Sequence, residues 1–286
     1  MTVFKASVLG DRAVLRLSGK DRTSFLQGLV TADVAGLAAG EARWAALLTP
    51  QGKILFDFLV LEQDDAYLLD CARQQLEELK KRLVFYKLRA ALTIEPVSGM
   101  SVAALPLGAS LDTPSAVVFA DPRLYEMGNR AIISDDYASA MGDGDACEYR
   151  ARRIALGIPD TIEDIGSGEL FPHEANLDQL GGVSFSKGCY VGQEVVSRME
   201  HRGTARSRIL PVTADAPLAT GSVTSGSGRS LGRILSTADR RGLALIRLDR
   251  LAEAIEAGDP IRAGASAIKV EKPGWAHFAV PGAAAA

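Results

Sequence analysis

The sequence predicts an α+β fold followed by a separate all-β C-terminal part. In the N-terminal half, apolar runs typical of strands surround one amphipathic stretch typical of a helix, in the order strand, strand, helix, strand. This order indicates an antiparallel sheet backed by helices on one face. After about residue 206 the chain changes to short strand-like runs separated by Gly, Ser and Asp turns, which predict a small β-barrel or sandwich.

The N-terminal elements follow from hydrophobic periodicity and turn residues. Residues 13–17 alternate weakly and predict a strand, and Asp21 is suited to cap a short helix after it. Two apolar runs, residues 44–49 and 54–61, are joined by Pro50-Gln51-Gly52-Lys53. A turn of this composition between two apolar runs predicts a hairpin.

A clear amphipathic helix is predicted over residues 71–85, where Leu76, Leu79 and Leu83 share one face and charged side chains cover the other. Residues 157–185 are rich in Gly, Pro, Asn and Asp but contain regularly placed apolar residues, so we expect an ordered loop. The remaining predictions are strands at residues 91–97, 116–120, 131–134, 209–212, 222–225, 231–236, 242–247 and 261–268, and a helix at residues 148–156.

Composition and charge narrow the class of protein. A length of 286 residues suggests two or three domains, and 47% hydrophobic with 23% charged residues is ordinary for a globular protein. The net charge of −3 predicts no direct nucleic-acid partner, and no apolar run approaches the roughly 18 residues of a membrane span, so no membrane partner is expected. Residues 1–11 lack the apolar stretch of a secretory signal, which predicts a cytoplasmic location.

The cysteines point away from a disulfide framework. Cys71, Cys147 and Cys189 are odd in number, widely spaced and form no CxxC pair. A reducing compartment fits this pattern. It also fits one reactive thiol accompanied by two small core residues.

Residues suited to catalysis or metal binding are most concentrated in the segment Ser184-Phe185-Ser186-Lys187-Gly188-Cys189-Tyr190-Val191-Gly192-Gln193-Glu194. Two glycines bracket Cys189, which allows tight backbone geometry and an accessible thiol. Lys187 could lower the pKa of that thiol, as a nucleophile or a metal ligand requires. On residue chemistry alone, a buried cysteine in a glycine-marked turn is an equally good interpretation.

Two flanking segments carry polar groups suited to ligand binding. Downstream, residues 201–208 hold one histidine and three arginines, and arginine pairs carboxylates with two parallel hydrogen bonds. Upstream, Glu174 and Asn176 follow a proline turn and could pair the polar edge of a pterin-like ring. The alternatives are a solvated interdomain linker and an ordinary surface glutamate.

Residues 182–194, followed by Arg202-Gly203, closely resemble the hallmark motif of the YgfZ family, which includes mitochondrial iron–sulfur assembly proteins. The resemblance extends over essentially the whole chain. Further matching segments are Phe25-Leu26-Gln27-Gly28-Leu29-Val30-Thr31-Ala32-Asp33-Val34, Thr49-Pro50-Gln51-Gly52-Lys53-Ile54 and Tyr86-Lys87-Leu88-Arg89.

The resemblance implies a fold within the wider superfamily of folate-dependent aminomethyltransferases. That fold is a ring of three domains around a folate channel. By position, residues 1–42 and 145–205 would form a split N-terminal folate-binding domain. Residues 43–144 would form an inserted ferredoxin-like domain, and residues 206–280 the C-terminal β-barrel.

The resemblance also implies tetrahydrofolate or a derivative as cofactor. Glu174 is similar in position to a glutamate that holds the pterin, and Arg206 or Arg208 to an arginine near the glutamyl carboxylates. The full set of implied folate contacts is Glu174, Asn176, Tyr190, Gln193, Arg202, Arg206 and Arg208.

The function implied by the resemblance is that of an accessory factor in the maturation or repair of iron–sulfur proteins, without classical turnover. Cys189 and Lys187 would carry the chemistry. An iron–sulfur cluster needs about four cysteine ligands, so Cys189 would be one ligand of a transient cluster shared with a partner. The implied partners are assembly proteins similar to A-type carriers and client iron–sulfur enzymes.

Two alternatives belong to other functional classes. A folate-dependent aminomethyl or methyl transferase would carry an aspartate early in the helix after the hairpin. Residues 69–76 instead read Leu-Asp-Cys-Ala-Arg-Gln-Gln-Leu, without an aspartate inside the predicted helix, which argues against transfer. The other alternative is a folate sensor or scaffold in which the cysteine segment is only a turn.

Overall fold

The structure is a computed structural model that describes residues 5–111, 113, 115–141, 146–203 and 205–283, and only the backbone of Arg202. The N-terminal part contains six strands and two α-helices, and five of these strands form one antiparallel sheet. Its elements are β1 (Ser7–Val8), β2 (Arg12–Ser18), α1 (Arg22–Gln27), β3 (Ala42–Leu48), β4 (Ile54–Gln63), β5 (Ala66–Ala72), α2 (Leu76–Lys87) and β6 (Thr93–Pro96).

The middle and C-terminal parts follow, separated by a long ordered loop that includes one π-helical turn at Thr161–Ile165. No helix in the described part of the chain has the length and apolar character needed to cross a bilayer. The elements are β7 (Met100–Leu105), β8 (Val117–Ala120), β9 (Asn129–Ser134), α3 (Asp135–Ala140), α4 (Ala146–Leu156), α5 (Gln193–Arg202), β10 (Ser207–Ala214), β11 (Gly221–Ser225), β12 (Ser230–Ala238), β13 (Arg241–Arg247), α6 (Leu248–Glu256), β14 (Ile261–Ala263) and β15 (Ser266–Val270).

The first sheet has five antiparallel strands in the order β3-β4-β5-β2-β6. Helix α2 covers one face, because its buried Leu79 and Leu83 belong to the same apolar cluster as Leu15 of β2 and Phe58 of β4. The charged residues of α2 lie on the solvent side, as the amphipathic pattern predicts. This packing confirms the predicted sheet with a helix on one face.

The second sheet has four strands in the order β1-β7-β9-β8, so β1 joins a sheet formed otherwise by residues 100–134. The predicted domain boundary between residues 42 and 43 does not coincide with the division between the sheets. Strand β3 begins at Ala42 and is linked through β4 and β5 to β2, so residues 12–96 contribute to one sheet. Strand pairing therefore places β3, β4 and β5 in the same sheet as β2 and β6.

The C-terminal strands form a closed barrel in the order β10-β13-β12-β11-β14-β15, closed by pairing of β10 with β15. Of the predicted alternatives, a barrel or a sandwich, the barrel is the one observed. The predicted strand at residues 261–268 is divided, because Gly264 adopts a φ of +59° and turns the chain between β14 and β15. Helix α6 was not predicted.

The predicted helix at residues 71–85 begins too early. Cys71 lies in β5, and α2 starts only at Leu76. Strand β5 is buried on both faces, so its sequence lacks the alternation that identifies a half-exposed strand. The two-residue turn before it, Asp64-Asp65, has both residues at positive φ and gives the β4–β5 hairpin.

Candidate functional site

The predicted chemistry lies on a loop that packs against the β3–β4 hairpin. We define the cysteine loop as residues 184–192 and the proline hairpin as residues 49–53. Gly192 has a φ of +80°, and a Cβ there would lie 2.5 Å from the carbonyl oxygen of Thr49. Gly52 has a φ of +83°, and its Cβ would lie 2.9 Å from Cβ of Val195 in α5. The two glycines thus allow two motifs distant in sequence to pack in direct contact.

The entry to the cysteine loop is fixed by the buried side chain of Thr31. Its Oγ1 donates to the carbonyl oxygen of Gly182 at 2.6 Å and accepts from the amide of Ala46 at 2.9 Å. The amide of Ser184 donates to the carbonyl oxygen of Thr31 at 2.9 Å. The segment matched at residues 25–34 therefore positions the loop.

Lys187 anchors the middle of the cysteine loop to the protein interior. Its Nζ donates to the carbonyl oxygens of Val30 at 2.8 Å and Ala32 at 2.6 Å, and lies 5.4 Å from the ring centroid of Tyr190. Burial lowers the pKa of Lys187 to about 8, and the carboxylate of Asp33 opposes this shift. Within the described structure no hydrogen bond joins this ammonium to the thiol of Cys189, so its observed role is that of an anchor.

Cys189 lies at the exposed tip of the loop, beside Gly188, where an added Cβ would meet no atom within 4 Å. None of the three cysteines, all within the described residues, forms a disulfide. Cys71 is buried in β5, and burial raises the pKa of its thiol to about 12. Burial therefore keeps Cys71 protonated, whereas Cys189 is open to an approaching molecule.

Tyr190 and Gln193 complete the loop and the start of α5. Tyr190 is buried beneath the loop, and burial raises its pKa to about 12. Its carbonyl oxygen accepts from the amide of Gln193, the first residue of α5. Helix α5 begins directly after Gly192 and extends to Arg202.

The implied folate contacts upstream and downstream of the loop hold two parts of the fold together. Asn176, at a φ of +61°, donates from Nδ2 to the carbonyl oxygen of Ile209 at 2.7 Å. The carboxylate of Glu174 accepts from the amide of Phe171 at 3.0 Å. Its backbone oxygen accepts from the amide of Ile209 at 2.9 Å. These residues therefore fasten the 171–178 segment to β10.

Arg208 is also used internally. It forms a pair of hydrogen bonds with the carboxylate of Asp178, at 2.6 and 2.9 Å, and a third with the carbonyl oxygen of His173. Its guanidinium lies 4.4 Å from the ring centroid of Phe278. Arg206 is exposed before β10, and the side chain of Arg202 lies outside the described structure. The implied contacts do not converge on a shared cavity among the described residues.

A histidine with two carboxylates lies beneath the cysteine loop. His173 is buried, its Nε2 is 3.2 Å from Glu200, and its ring lies 6.1 Å from that of Phe185. Single ligand atoms of His173, Asp178 and Glu200 lie within 4.8 Å of one another. A cation there would compete with the guanidinium of Arg208 for Asp178, so the geometry favours a structural role.

A cavity of about 390 Å³ lies elsewhere, between the N-terminal sheet, the second sheet and α4. Its volume is within the range of small-molecule sites. Five arginines line it, and a buried network of ion pairs connects its walls. The arginines are Arg12, Arg123, Arg130, Arg150 and Arg153.

Carboxylates neutralise the buried arginines of this cavity. Asp70 of β5 binds Arg12 at 2.6 Å and Arg130 of β9 at 3.1 Å. Asp121 binds Arg123 at 2.7 Å and Arg130 at 3.4 Å. The network thereby links the two sheets. The sequence contained a signal for it, since Asp70 and Arg130 interrupt apolar strands, but our prediction did not use that signal.

The sequence of the chain is similar to those of known proteins. The mitochondrial iron–sulfur cluster assembly factor IBA57 of Homo sapiens is 32% identical over 275 residues, which cover 85% of this chain and 77% of the relative. The chain belongs to the IBA57 family of iron–sulfur cluster assembly factors. The Mus musculus protein is 31% identical over 278 residues, covering 85% and 77%. A family model described as the CAF17 C-terminal beta-barrel domain matches residues 206–278.

A solved structure shares the fold. It is the glycine cleavage system aminomethyltransferase T from Bartonella henselae, with a TM-score of 0.77 over 96% of this chain and 87% of that chain. The sequence identity is 13%, so this likeness shows the fold alone. It confirms the predicted α+β fold of the aminomethyltransferase type. The IBA57 relatives confirm the predicted kinship with iron–sulfur assembly proteins.

The prediction of a cytoplasmic location is wrong. The IBA57 relatives from human and mouse are named as mitochondrial proteins. A test for a secretory apolar stretch separates secreted proteins from others, but it does not distinguish the cytoplasm from a mitochondrial compartment.

Proposed function

We propose that this chain acts in iron–sulfur cluster assembly by offering Cys189 as a single thiolate ligand to a cluster that a partner carries. The observation that supports this proposal most directly is the exposed position of Cys189 on a loop whose preceding residues are held by buried contacts at Thr31 and Lys187. Fixed geometry at an exposed tip allows a ligand to meet an incoming cluster without reorganisation of the loop.

The number of accessible thiols explains why a partner is needed. Cys71 is buried, and Cys147, although exposed, lies on α4, which packs against barrel strands β12 and β13. A cluster bound through Cys189 therefore needs ligands from another protein, since the common clusters use about four. An assembly protein similar to an A-type carrier is the partner we propose.

The proposal is tested with Cys189→Ser and, as a matched control, Cys147→Ser, each expressed in cells that lack the native protein. We expect Cys189→Ser to leave [4Fe–4S] enzyme activities at the level of the deletion, because serine keeps nearly the shape of cysteine but removes the thiolate ligand. Cys147→Ser should restore them. Full restoration by Cys189→Ser would show that the thiol has no role in assembly.

Lys187 enters this proposal as a positioning residue. Its two hydrogen bonds to carbonyl oxygens engage the ammonium at the base of the loop, so activation of the thiol by this residue has no support in the contacts. The exposed tip leaves activation of Cys189 to the metal ions of the cluster, which lower the pKa of a coordinating thiol.

We also propose that the chain binds a reduced folate. Three of the seven residues implied by resemblance, Asn176, Glu174 and Arg208, already bond to the protein, so a folate there would have to replace those contacts. The arginine-lined cavity has a suitable volume and charged groups for glutamyl carboxylates, although those arginines are paired as well. Arg150, at the half-exposed rim, is the group best placed to change partner.

Calorimetric titration with tetrahydrofolate distinguishes the two locations. Arg150→Ala should weaken binding if the cavity holds the folate, and Glu174→Ala should leave the affinity at the wild-type value. The reverse result would assign folate to the 171–178 segment. An absence of heat from the wild-type protein, with an unchanged melting temperature, would reject folate binding altogether.

A further inference from the structure

The C-terminal end of α2 carries an apolar group that the fold leaves uncovered. Val84 is 49% exposed, Phe85 70% and Leu88 89%. Leu79 and Leu83 on the opposite side of the helix are fully buried, so burial fixes the orientation of α2 and keeps the three apolar side chains outside. We name Val84, Phe85 and Leu88 the α2 patch.

The backbone at Leu88 adds a second unusual feature. Leu88 has a φ of +45° and a ψ of −109°, in the region that favours glycine, although leucine gains nothing there from burial. A strained backbone that holds a large apolar side chain in solvent is more typical of a binding surface than of a packing element. The segment Tyr86-Lys87-Leu88-Arg89 is also a matched motif that the proposed thiol chemistry does not use.

The α2 patch is surrounded by positive charge. Between Glu78 and Glu95 the sequence has no acidic residue and five basic ones, in a chain whose net charge is −3. None of the five forms an ion pair in the described structure. They are Lys80, Lys81, Arg82, Lys87 and Arg89. Unpaired cations around exposed apolar side chains are complementary to an acidic surface with a protruding apolar residue.

A concave site lies next to the patch. A cavity of about 400 Å³ is lined by Phe56, Glu78, Lys81, Arg82 and Phe85. It offers an apolar wall and a basic rim to one inserted side chain, as the anchor pockets of protein interfaces do. A flat anionic lipid surface would leave this cavity empty, whereas a protruding protein side chain can fill it. The shape therefore favours a protein as occupant.

The cavity lies close to the cysteine loop. Phe56 follows Gly52 by four residues of chain, which span at most about 14 Å. Gly52 is in direct contact with Gly192 and Val195. A protein interface of standard size covers about 800 Å² on each partner, a patch about 30 Å across. One partner can therefore cover the α2 patch and Cys189 together.

We propose that the α2 patch and its cavity are the docking surface for the protein that brings the cluster to Cys189, and that this protein presents an acidic surface with an apolar anchor residue. The inference rests on the proposed function for the identity of the partner. The anchor enters the cavity between Phe56 and Phe85, and the five cations orient the acidic surface. Docking then supplies affinity, and Cys189 supplies a ligand.

The test measures the affinity of the full-length chain for a purified A-type iron–sulfur carrier. A double substitution, Phe85→Ala with Leu88→Ala, should weaken binding at least about tenfold, as truncation of interface anchors commonly does. A separate variant, Lys81→Glu, should weaken carrier binding most strongly at low salt and should reduce the salt dependence of the affinity. Tyr125→Ala is the matched control, because Tyr125 is also an exposed aromatic residue (74%) but belongs to a short helix outside α2. The Tyr125→Ala variant should bind the carrier with wild-type affinity.

The outcomes separate this inference from the proposed function. Cys189→Ser should bind the carrier nearly as well as wild type and yet fail to support [4Fe–4S] enzymes. Two results would contradict the proposed docking surface. One is wild-type affinity of both the Phe85→Ala/Leu88→Ala variant and the Lys81→Glu variant, and the other is no binding of the carrier by the wild-type chain. Binding to anionic vesicles of phosphatidylcholine and cardiolipin that requires Phe85, while carrier binding does not, would also contradict it. Equal melting temperatures in all variants establish that each is folded.

Discussion

Lys187 shows how one side chain in the motif can serve the loop and not the thiol. Its ammonium is held by two carbonyl oxygens of the turn at Val30 and Ala32, and burial lowers its pKa to about 8. The sequence placed Lys187 two residues from Cys189, and a lysine is long enough to reach either the thiol or the protein interior. Spacing along the chain therefore could not decide between activation and anchoring.

The lowered pKa of Lys187 gives a prediction with a defined sign. In the folded chain Lys187 loses its proton near pH 8, whereas in the unfolded chain it does so near 10.5, so unfolding takes up a proton between these values. The free energy of unfolding of the wild type should therefore rise with pH, relative to that of Lys187→Met, from about pH 8 to 10. Urea unfolding at pH 7.5 and 9.5 measures the difference.

The exposed Lys20 provides the control for this measurement. Lys20→Met should follow the wild-type curve at both pH values, because an exposed ammonium has nearly the same surroundings in both states. Parallel curves for wild type and Lys187→Met would mean that burial does not lower the pKa of Lys187, and equal stability of the two at pH 9.5 would contradict the anchoring role. At pH 9.5, where the buried amine is mostly neutral, the Met variant should also be less stable than the wild type, since two buried carbonyl oxygens lose their donor at a cost of about 1–3 kcal/mol each.

At the scale of elements, the contact between the cysteine loop and the proline hairpin decides the geometry of the site. Gly192 and Gly52 both have positive φ, and each would place a Cβ against the partner segment. We expect Gly192→Ala to lower the free energy of unfolding by about 1–3 kcal/mol, the cost of a non-glycine residue in strained backbone. It should also displace the loop from the hairpin. Urea unfolding and the rate of alkylation of Cys189 measure the two effects.

Gly188 provides the matched control for this contact. It lies in the same loop, on the other side of Cys189, and an added Cβ would meet no atom within 4 Å. Gly188→Ala should therefore keep both the stability and the alkylation rate of the wild type. Equal effects of the two substitutions would mean that the hairpin contact does not position the loop.

Helices and strands were predictable where apolar and polar residues alternate with a regular period, and less predictable where burial on all sides removes that period. The helix at residues 148–156, the proline hairpin and most of the barrel strands carry local signals that were sufficient. Strand β5 was assigned in part to a helix because both of its faces are buried, so Leu68-Leu69-Asp70-Cys71 shows no alternation. The pairing of β1 with β7 joins segments about 95 residues apart, which local patterns do not encode.

At the scale of the molecule, buried ion pairs connect the two N-terminal sheets. Asp70 of β5 and Asp121 after β8 share the guanidinium of Arg130 on β9, and Arg123 binds Asp121 from the other side. Such contacts depend on three-dimensional pairing, so the sequence alone showed only charged residues inside apolar strands. The same is true of the implied folate residues, which the fold uses to attach the 171–178 segment to the barrel.

Two aspartates with similar pKa values differ in what they contribute to stability. For Asp121, burial raises the pKa, but Arg123 and Arg130 outweigh it and lower the value to about 2. For the exposed Asp249, the hydrogen bonds of Arg247 lower the pKa, also to about 2. We expect Asp121→Asn to lower the free energy of unfolding at pH 7 by about 3–5 kcal/mol, because it leaves buried guanidinium groups uncompensated. Asp249→Asn should cost at most about 1 kcal/mol, since water and salt screen a surface pair.

The pH dependence of this difference identifies its cause. A carboxylate whose pKa falls from about 4 in the unfolded chain to about 2 in the folded chain stabilises the fold above pH 4 and loses that effect as the pH falls through 2. The difference between wild type and Asp121→Asn should therefore be constant from pH 7 to 5 and shrink between 4 and 2. Thermal unfolding across this range tests it. A difference that persists unchanged at pH 2 would mean that Asp121 stabilises the sheets by packing and hydrogen bonding alone, without its charge.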